Sequence, residues 1–77
     1  MLIRFFAGAA EAAGTDTLEV DAAGHTVDSL RAQLGAGNDR LAKVLVASSL
    51  LADGQRRSEG PLDDVTQLDV LPPFAGG

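Results

Sequence analysis

The chain has to fold without disulfides or a zinc cluster, because its 77 residues contain no cysteine and a single histidine. The missing cysteine excludes a disulfide framework, a thiolate zinc site and a cysteine nucleophile. One histidine is too few for the usual ligand set of a catalytic zinc. A chain of this length makes one domain and buries only about 60% of its unfolded surface. We therefore expect a single domain, residues 1–77, with no bound metal, that depends on close packing or on a partner.

The charge balance is acidic, with 6 basic and 11 acidic residues and a net charge of −5. Nucleic acids and anionic membranes select clusters of Lys and Arg, so we expect neither as a partner. No apolar run approaches the roughly 20 residues of a transmembrane helix. The first residues lack the basic start and the longer apolar run of a signal peptide. We therefore expect a cytoplasmic protein.

Alternating apolar residues predict strands at both ends of the chain. Near the start, Ile3 and Phe5 fall on one side of a strand. Near the end, Leu68 and Val70 do the same. The dipeptide Asp53-Gly54 is a hairpin signal between two further strands. The predicted strands are 1–7, 15–20, 46–52, 55–58 and 67–71, with the first two forming a hairpin.

One main helix is predicted between the strands. Thr26 is placed to cap its start, with Asp28 in the first turn, where a negative charge favours the helix dipole. Its buried stripe is predicted to contain Val27, Leu30, Ala32 and Leu34. Gly35 to Gly37 end it, Asn38 or Asp39 starts a second short helix through Leu45, and residues 8–14 form a turn or short helical loop. The order predicts an α+β fold, in which a mixed sheet curls over one helix.

The usual catalytic residue types are sparse and carry little signal. Arg56 and Arg57 have the chemistry to bind phosphate, but a charged sheet edge is the simpler interpretation. Asp63, Asp64 and Asp69 have the chemistry of a cation site, but they are interpreted as solubilising turn acids. The lone His25 and the pair Ser48-Ser49 are interpreted as ordinary loop and strand residues.

The end of the chain is the most distinctive segment. Pro72 and Pro73 end the last strand and lead the chain away in extended form. Phe74 and Ala75 follow, and Gly76 and Gly77 close the sequence. Two hypotheses stay open from these residues: a frayed end, or an extended tail (72–77) without Cβ atoms at its tip, which threads a narrow channel and presents a carboxylate to another protein.

The chain resembles the small subunit of molybdopterin synthase, a ubiquitin-like sulfur carrier of the β-grasp fold related to the thiamine-pathway carrier. The resemblance rests on the opening MLIRFFAGAAEAAGTDTLEV, the helix start at Thr26 and the ending LDVLPPFAGG. It implies a mixed sheet of about five strands on one main helix.

The resemblance also implies a mechanism. An E1-like adenylyltransferase uses ATP and Mg²⁺ to adenylate the carboxylate of Gly77, and a sulfur donor protein converts it to a thiocarboxylate. The large subunit of molybdopterin synthase then takes up the tail, and the sulfur attacks cyclic pyranopterin monophosphate. The chain itself is a cosubstrate without catalytic side chains and holds no cofactor stably. Pro72, Pro73, Phe74, Ala75 and Gly76 aim the tail.

A docking face follows from the strand alternation. If Ile3, Phe5, Leu68 and Val70 face the helix, then Leu2, Phe6 and Leu71 face outward on neighbouring strands. We expect these three residues to form an apolar partner interface.

Two other functions stay open. Sister carriers that serve thiamine, cysteine, tRNA thiolation or a thio-metabolite share the scaffold and the Gly-Gly end. A ubiquitin-like modifier or a simple interaction domain is the remaining class.

Overall fold

The computed structural model describes residues 1–73, which form a five-stranded mixed sheet with three helices. The sheet order is β2-β1-β5-β3-β4, with β1 and β5 parallel at the centre and the other neighbours antiparallel. The strands are β1 Leu2–Phe5, β2 Thr17–Glu19, β3 Ser49–Ala52, β4 Gln55–Arg56 and β5 Gln67–Leu71. The helices are α1 Gly8–Ala13, α2 Val27–Gly35 and α3 Asp39–Ala47. The predicted first hairpin and mixed sheet are confirmed.

Side-chain caps start both longer helices. The Thr26 hydroxyl accepts a hydrogen bond from the backbone N–H of Ser29, and the Ser29 hydroxyl accepts one from the N–H of Thr26. This reciprocal arrangement satisfies two N–H groups that have no partner within the helix. The Asn38 side chain caps α3 by accepting from the N–H of Leu41, and it donates to the Ala12 carbonyl. The predicted cap at Thr26 is confirmed.

Helix α3 departs from the prediction at its end. Val46 and Ala47 belong to α3, so the strand predicted over 46–52 is wrong at its first residues and begins at Ser49. Leu41 and Leu45, four residues apart, are both buried on one side of the helix, which favours helix over strand for this segment. The second helix is consequently as long as α2, at 9 residues each.

Smaller departures lie in α2 and β2. Ala32 is exposed, so its predicted place in the buried stripe is wrong. Val27 and Leu30 are buried and Leu34 packs against the core, as predicted. Strand β2 is shorter than predicted, and all of its residues are exposed.

The core lies between the sheet and the helices. The residues of β1, β3 and β5 that face the helices are each at most 4% exposed: Ile3, Phe5, Leu50, Ala52, Leu68 and Val70. The helices pack closely enough that a Cβ built on Gly35 of α2 would lie 2.8 Å from the Cβ of Ala42 in α3. Real Cβ atoms do not approach this closely, so glycine is required at this crossing.

The turn between β3 and β4 is tied to the start of β5. Asp53 and Gly54 both have positive φ, 48° and 85°, as in a two-residue hairpin turn, and the prediction is confirmed. The Asp53 carboxylate accepts hydrogen bonds from the Thr66 hydroxyl at 2.6 Å and from the Gln67 N–H at 3.0 Å. These bonds lower the pKa of Asp53, and the hydrogen bond from the Thr66 hydroxyl has the largest effect.

No helix within residues 1–73 has the length and apolar character needed to cross a membrane.

Candidate functional site

The two central strands present a second, outward face, away from the helices. Because side chains alternate along a strand, the buried positions of β1 and β5 turn their neighbours to this side. Phe6, which follows β1, is 37% exposed, and Leu2 and Leu71 are half-buried. The outward placement predicted for these three residues is therefore what the structure shows. We call this surface, comprising Leu2, Arg4, Phe6, Asp69 and Leu71, the outer face.

An ion pair lies at the centre of the outer face. Arg4 and Asp69 are directly opposite each other on β1 and β5. The Arg4 guanidinium donates two hydrogen bonds to the carboxylate, Nε to Oδ1 at 2.8 Å and Nη2 to Oδ2 at 2.9 Å. This two-pronged arrangement is the strong form of an arginine–carboxylate contact. The interpretation of Asp69 as a turn acid is wrong: it is a strand residue paired across the sheet.

The ion pair is uneven in exposure. The Arg4 side chain is 43% exposed and the Asp69 side chain 13%. The hydrogen bonds from Arg4 lower the pKa of Asp69, against the opposing effect of burial, and raise the pKa of Arg4. The Asp69 carboxylate is therefore mostly covered, and Arg4 stabilises its charged form.

Phe6 lies beside this pair at the end of the outer face. The Arg4 guanidinium carbon is 5.2 Å from the centre of the Phe6 ring, within the range of a cation–π contact. The Phe6 N–H donates to the Val70 carbonyl at 3.2 Å, which places Phe6 level with the end of β5. Ala7 follows with φ 48° and ψ −124°, a conformation that alanine rarely adopts. This turn directs the chain into α1 immediately after the exposed ring.

Sequence reasoning missed two members of the outer face and one residue beside it. Besides Arg4 and Asp69, it missed Leu51 of β3, which pairs with Asp69 and is half-buried. A signal was present: the middle outward positions of β1 and β5 carry opposite charges. Using that signal requires knowing that two strands 65 residues apart are parallel neighbours.

Pro72 and Pro73 lead from β5 into the predicted tail, and we call them the tail root. The tail root is adjacent to the outer face. Strand β5 ends at Leu71, Pro72 is half-buried and Pro73 is exposed. Proline has no N–H to continue the ladder, which explains why the strand ends there. The predicted tail residues Phe74, Ala75, Gly76 and Gly77 lie outside the described residues.

Other parts of the described chain do not join this surface. A cavity of about 460 Å³ is lined by Arg57, Glu59, Pro61, Asp63 and Asp64, none of which belongs to the predicted tail or partner interface. His25 lies at the start of α2, with its Nδ1 2.9 Å from the Ser29 hydroxyl. Within residues 1–73, no group of three or more His, Cys, Asp or Glu side chains is placed to hold a metal ion.

The central parallel pair, the antiparallel edges and the helices on one side define a ubiquitin-like β-grasp fold. The chain belongs to the ThiS family, whose model matches residues 3–77. It is 37% identical to the molybdopterin synthase sulfur carrier subunit of Escherichia coli K12, over 97% of this chain and 96% of that protein.

Solved structures agree with the assignment of the fold. The solution structure of the Haloferax volcanii HVO 2177 protein matches with a TM-score of 0.72 and 30% identity, over 99% of this chain and 84% of that one. The crystal structure of small archaeal modifier protein 1 from H. volcanii matches with a TM-score of 0.62 and 25% identity, over 95% of each chain.

Proposed function

We propose that this protein is a sulfur carrier for molybdopterin synthesis, and that the carboxylate of Gly77 carries the sulfur as a thiocarboxylate. The observation that supports this most is the relationship to the E. coli sulfur carrier subunit, which extends over 96% of that protein. The family match also runs through Gly77.

The proposed chemistry takes place at the chain end. A carboxylate is a poor electrophile until one oxygen becomes a good leaving group. In an E1-like adenylyltransferase, an oxygen of Gly77 attacks the α-phosphorus of Mg²⁺-bound ATP and releases pyrophosphate. A sulfide-level nucleophile from a donor protein then attacks the carbonyl carbon and displaces AMP. The thiocarboxylate sulfur then attacks a carbon of cyclic pyranopterin monophosphate and displaces an oxygen substituent there. Water hydrolyses the resulting thioester, so the sulfur stays on the pterin and the chain returns as the carboxylate.

The protein acts in this scheme as a cosubstrate, and its own contribution is to dock and to deliver the tail. We propose that the outer face docks the synthase large subunit through Leu2, Phe6 and Leu71. Support comes from the exposed Phe6 ring, since aromatic residues are enriched at interface centres. Leu71 also directly precedes Pro72, so the face and the tail root are continuous. Pro72, Pro73, Phe74, Ala75 and Gly76 would aim the tail into the partner.

Mass spectrometry of the intact chain tests the carrier function. After incubation with an E1-like adenylyltransferase, Mg²⁺-ATP and a sulfur donor, the mass should rise by the difference between sulfur and oxygen. Fragmentation should place the change on Gly77. A variant with one alanine added after Gly77 is the control and should gain nothing. An unmodified Gly77 in the complete reaction would contradict every carrier hypothesis, whichever pathway is served.

Phe6→Asp tests the docking face. A charge in the apolar contact should weaken binding to the large subunit by about thirtyfold or more, as expected for an aromatic anchor. Val46→Asp is the matched control, because Val46 is 80% exposed on α3, on the opposite side of the sheet. Calorimetry measures both affinities, and circular dichroism checks the fold. Unchanged binding of a folded Phe6→Asp variant would rule out the outer face while leaving the thiocarboxylate chemistry untouched.

A conjugated modifier is the second candidate, favoured by the likeness to small archaeal modifier protein 1. Activated Gly77 would then form an amide with a lysine of another protein. Trypsin cleaves this chain for the last time after Arg57, so peptide mapping for lysines that carry residues 58–77 separates this outcome from a free thiocarboxylate. A carrier for a different pathway would gain sulfur but bind an acceptor other than the synthase large subunit.

A further inference from the structure

A cluster of arginines and serines lies away from the outer face, near the β3–β4 edge of the sheet. It surrounds a cavity of about 360 Å³ lined by Leu50 together with three arginines and three serines: Arg31, Arg56, Arg57, Ser48, Ser49 and Ser58. These residues come from α2, from the junction of α3 with β3, and from β4 and the segment that follows it. The fold thus brings together side chains that are dispersed in the sequence.

The charge of this cluster opposes the charge of the protein. Three of the 6 basic residues line this one cavity in a chain of net charge −5. Arg57 forms an ion pair with Asp64, with 3.3 Å between Nη1 and Oδ1. Within residues 1–73, neither Arg31 nor Arg56 has a carboxylate within ion-pair distance. Like charges held together without counter-charges favour an anion between them.

One of the arginines that line the cavity has a hydrogen-bond donor without an acceptor. The Nε of Arg31 is buried and, among the residues that the structure describes, has no hydrogen-bond partner. A buried donor left unsatisfied is costly and calls for an acceptor. Arg56, in contrast, is held in place, because its Nη2 donates to the Ser49 hydroxyl at 2.7 Å. That hydroxyl keeps its own proton to donate.

We propose that this cavity binds the phosphate group of a small molecule. A phosphate offers several acceptor oxygens at once, which suits guanidinium forks and serine hydroxyls better than a single carboxylate does. The Ser48 hydroxyl donates to the Val44 carbonyl at 2.6 Å, so the hydroxyls that would serve the phosphate are those of Ser49 and Ser58. The volume is at the lower end of the range for ligand pockets, about 300–1,000 Å³, so the ligand is a phosphate or a compact phosphate ester. The proposal is independent of sulfur transfer and of the outer face.

An NMR titration at constant ionic strength tests it, with ¹⁵N-labelled protein and three probes: inorganic phosphate, AMP and an acidic pentapeptide. Phosphate should shift the amides of Ser48, Ser49 and Ser58 and the Nε–H signal of Arg31. Comparison of phosphate with AMP distinguishes a free anion from an ester. R31Q and R56Q should each weaken binding by about tenfold or more, the effect of losing a charge-assisted hydrogen bond.

R40Q is the matched control, since it removes the same charge from α3 outside the cavity and should leave the affinity unchanged. Equal weakening by R40Q would show nonspecific ion association and would overturn the proposal. Binding of the peptide without binding of phosphate or AMP would overturn it in favour of an acidic protein partner. Circular dichroism checks R31Q, and R56Q provides the same test from an exposed strand if R31Q does not fold.

Discussion

The two faces of the central strands are built from alternate residues of the same segments, yet they differ in composition. Toward the helices, β1 and β5 present only buried apolar side chains, Ile3, Phe5, Leu68 and Val70. Toward the outside they present a half-exposed mixture of apolar residues around the Arg4–Asp69 ion pair.

This difference separates two roles within a very small protein. Burial of aliphatic surface stabilises the fold in proportion to area and needs no precise partner. An ion pair beside exposed apolar side chains adds less to the free energy of folding. Its charges instead orient a partner whose charges are complementary. Substitutions on one face should therefore change stability, and substitutions on the other should change binding.

The largest effect is expected from truncating leucines on opposite faces of β5. Leu68→Ala removes a side chain that is fully buried and should lower the free energy of unfolding by about 2–5 kcal/mol. Leu71→Ala, three residues later on the outer face, should cost about 1 kcal/mol or less. Urea denaturation measures both. Equal losses would mean that the two faces contribute alike to folding. If Leu68→Ala is unfolded in water, Val70→Ala replaces it in the same comparison.

An intermediate effect is expected where the helices cross above the inner face. Gly35→Ala would place a Cβ 2.8 Å from the Cβ and 3.1 Å from the Cα of Ala42, so α2 and α3 must separate. Such overpacking costs about 1–3 kcal/mol. Gly8→Ala is the matched control, because no atom lies within 4 Å of its added Cβ, and alanine loses less backbone entropy than glycine on folding, which stabilises the variant by about 0.4–1 kcal/mol. Thermal unfolding should thus shift in opposite directions. A stabilised Gly35→Ala variant would contradict the close packing of this layer.

Local features of the sequence predicted the elements whose limits are set by local chemistry. Strand β5 was predicted with the observed bounds, because its alternation is regular and Pro72 ends it. The start of α2 was predicted because Thr26 caps it. The predicted strand 46–52 began too early. Val46 by itself favours a strand, but Leu41 and Leu45 keep the segment helical.

Non-local features escaped prediction. Arg4 and Asp69 are 65 residues apart, and only the parallel register of β1 and β5 brings them together. The positive φ of Ala7 has no local sequence signal either, since glycine is the residue expected there. The cavity around Arg31 likewise combines three separate elements. The buried face toward the helices could therefore be predicted from the periodicity of the sequence. The ion pair at the centre of the outer face could be recognised only once the pairing of β1 and β5 was known.

The smallest effect is expected at the ion pair, and its sign depends on pH. The folded-state pKa of Asp69 lies below its ordinary value, so its contribution is fully present above about pH 4, the unfolded pKa. It is lost as the pH falls through the folded pKa.

Asp69→Asn should consequently be less stable than the wild type at neutral pH, and the two stabilities should converge in acid. Arg4→Gln should also be less stable at neutral pH, but for a different reason: it leaves a mostly covered carboxylate without its cation, and burial then raises the pKa of Asp69. Its deficit should shrink as soon as the pH falls toward that raised value. Urea denaturation between pH 7 and acid, with the double variant completing the cycle, measures the coupling. Parallel pH curves for all four proteins would show that the pair contributes nothing to the stability of the fold.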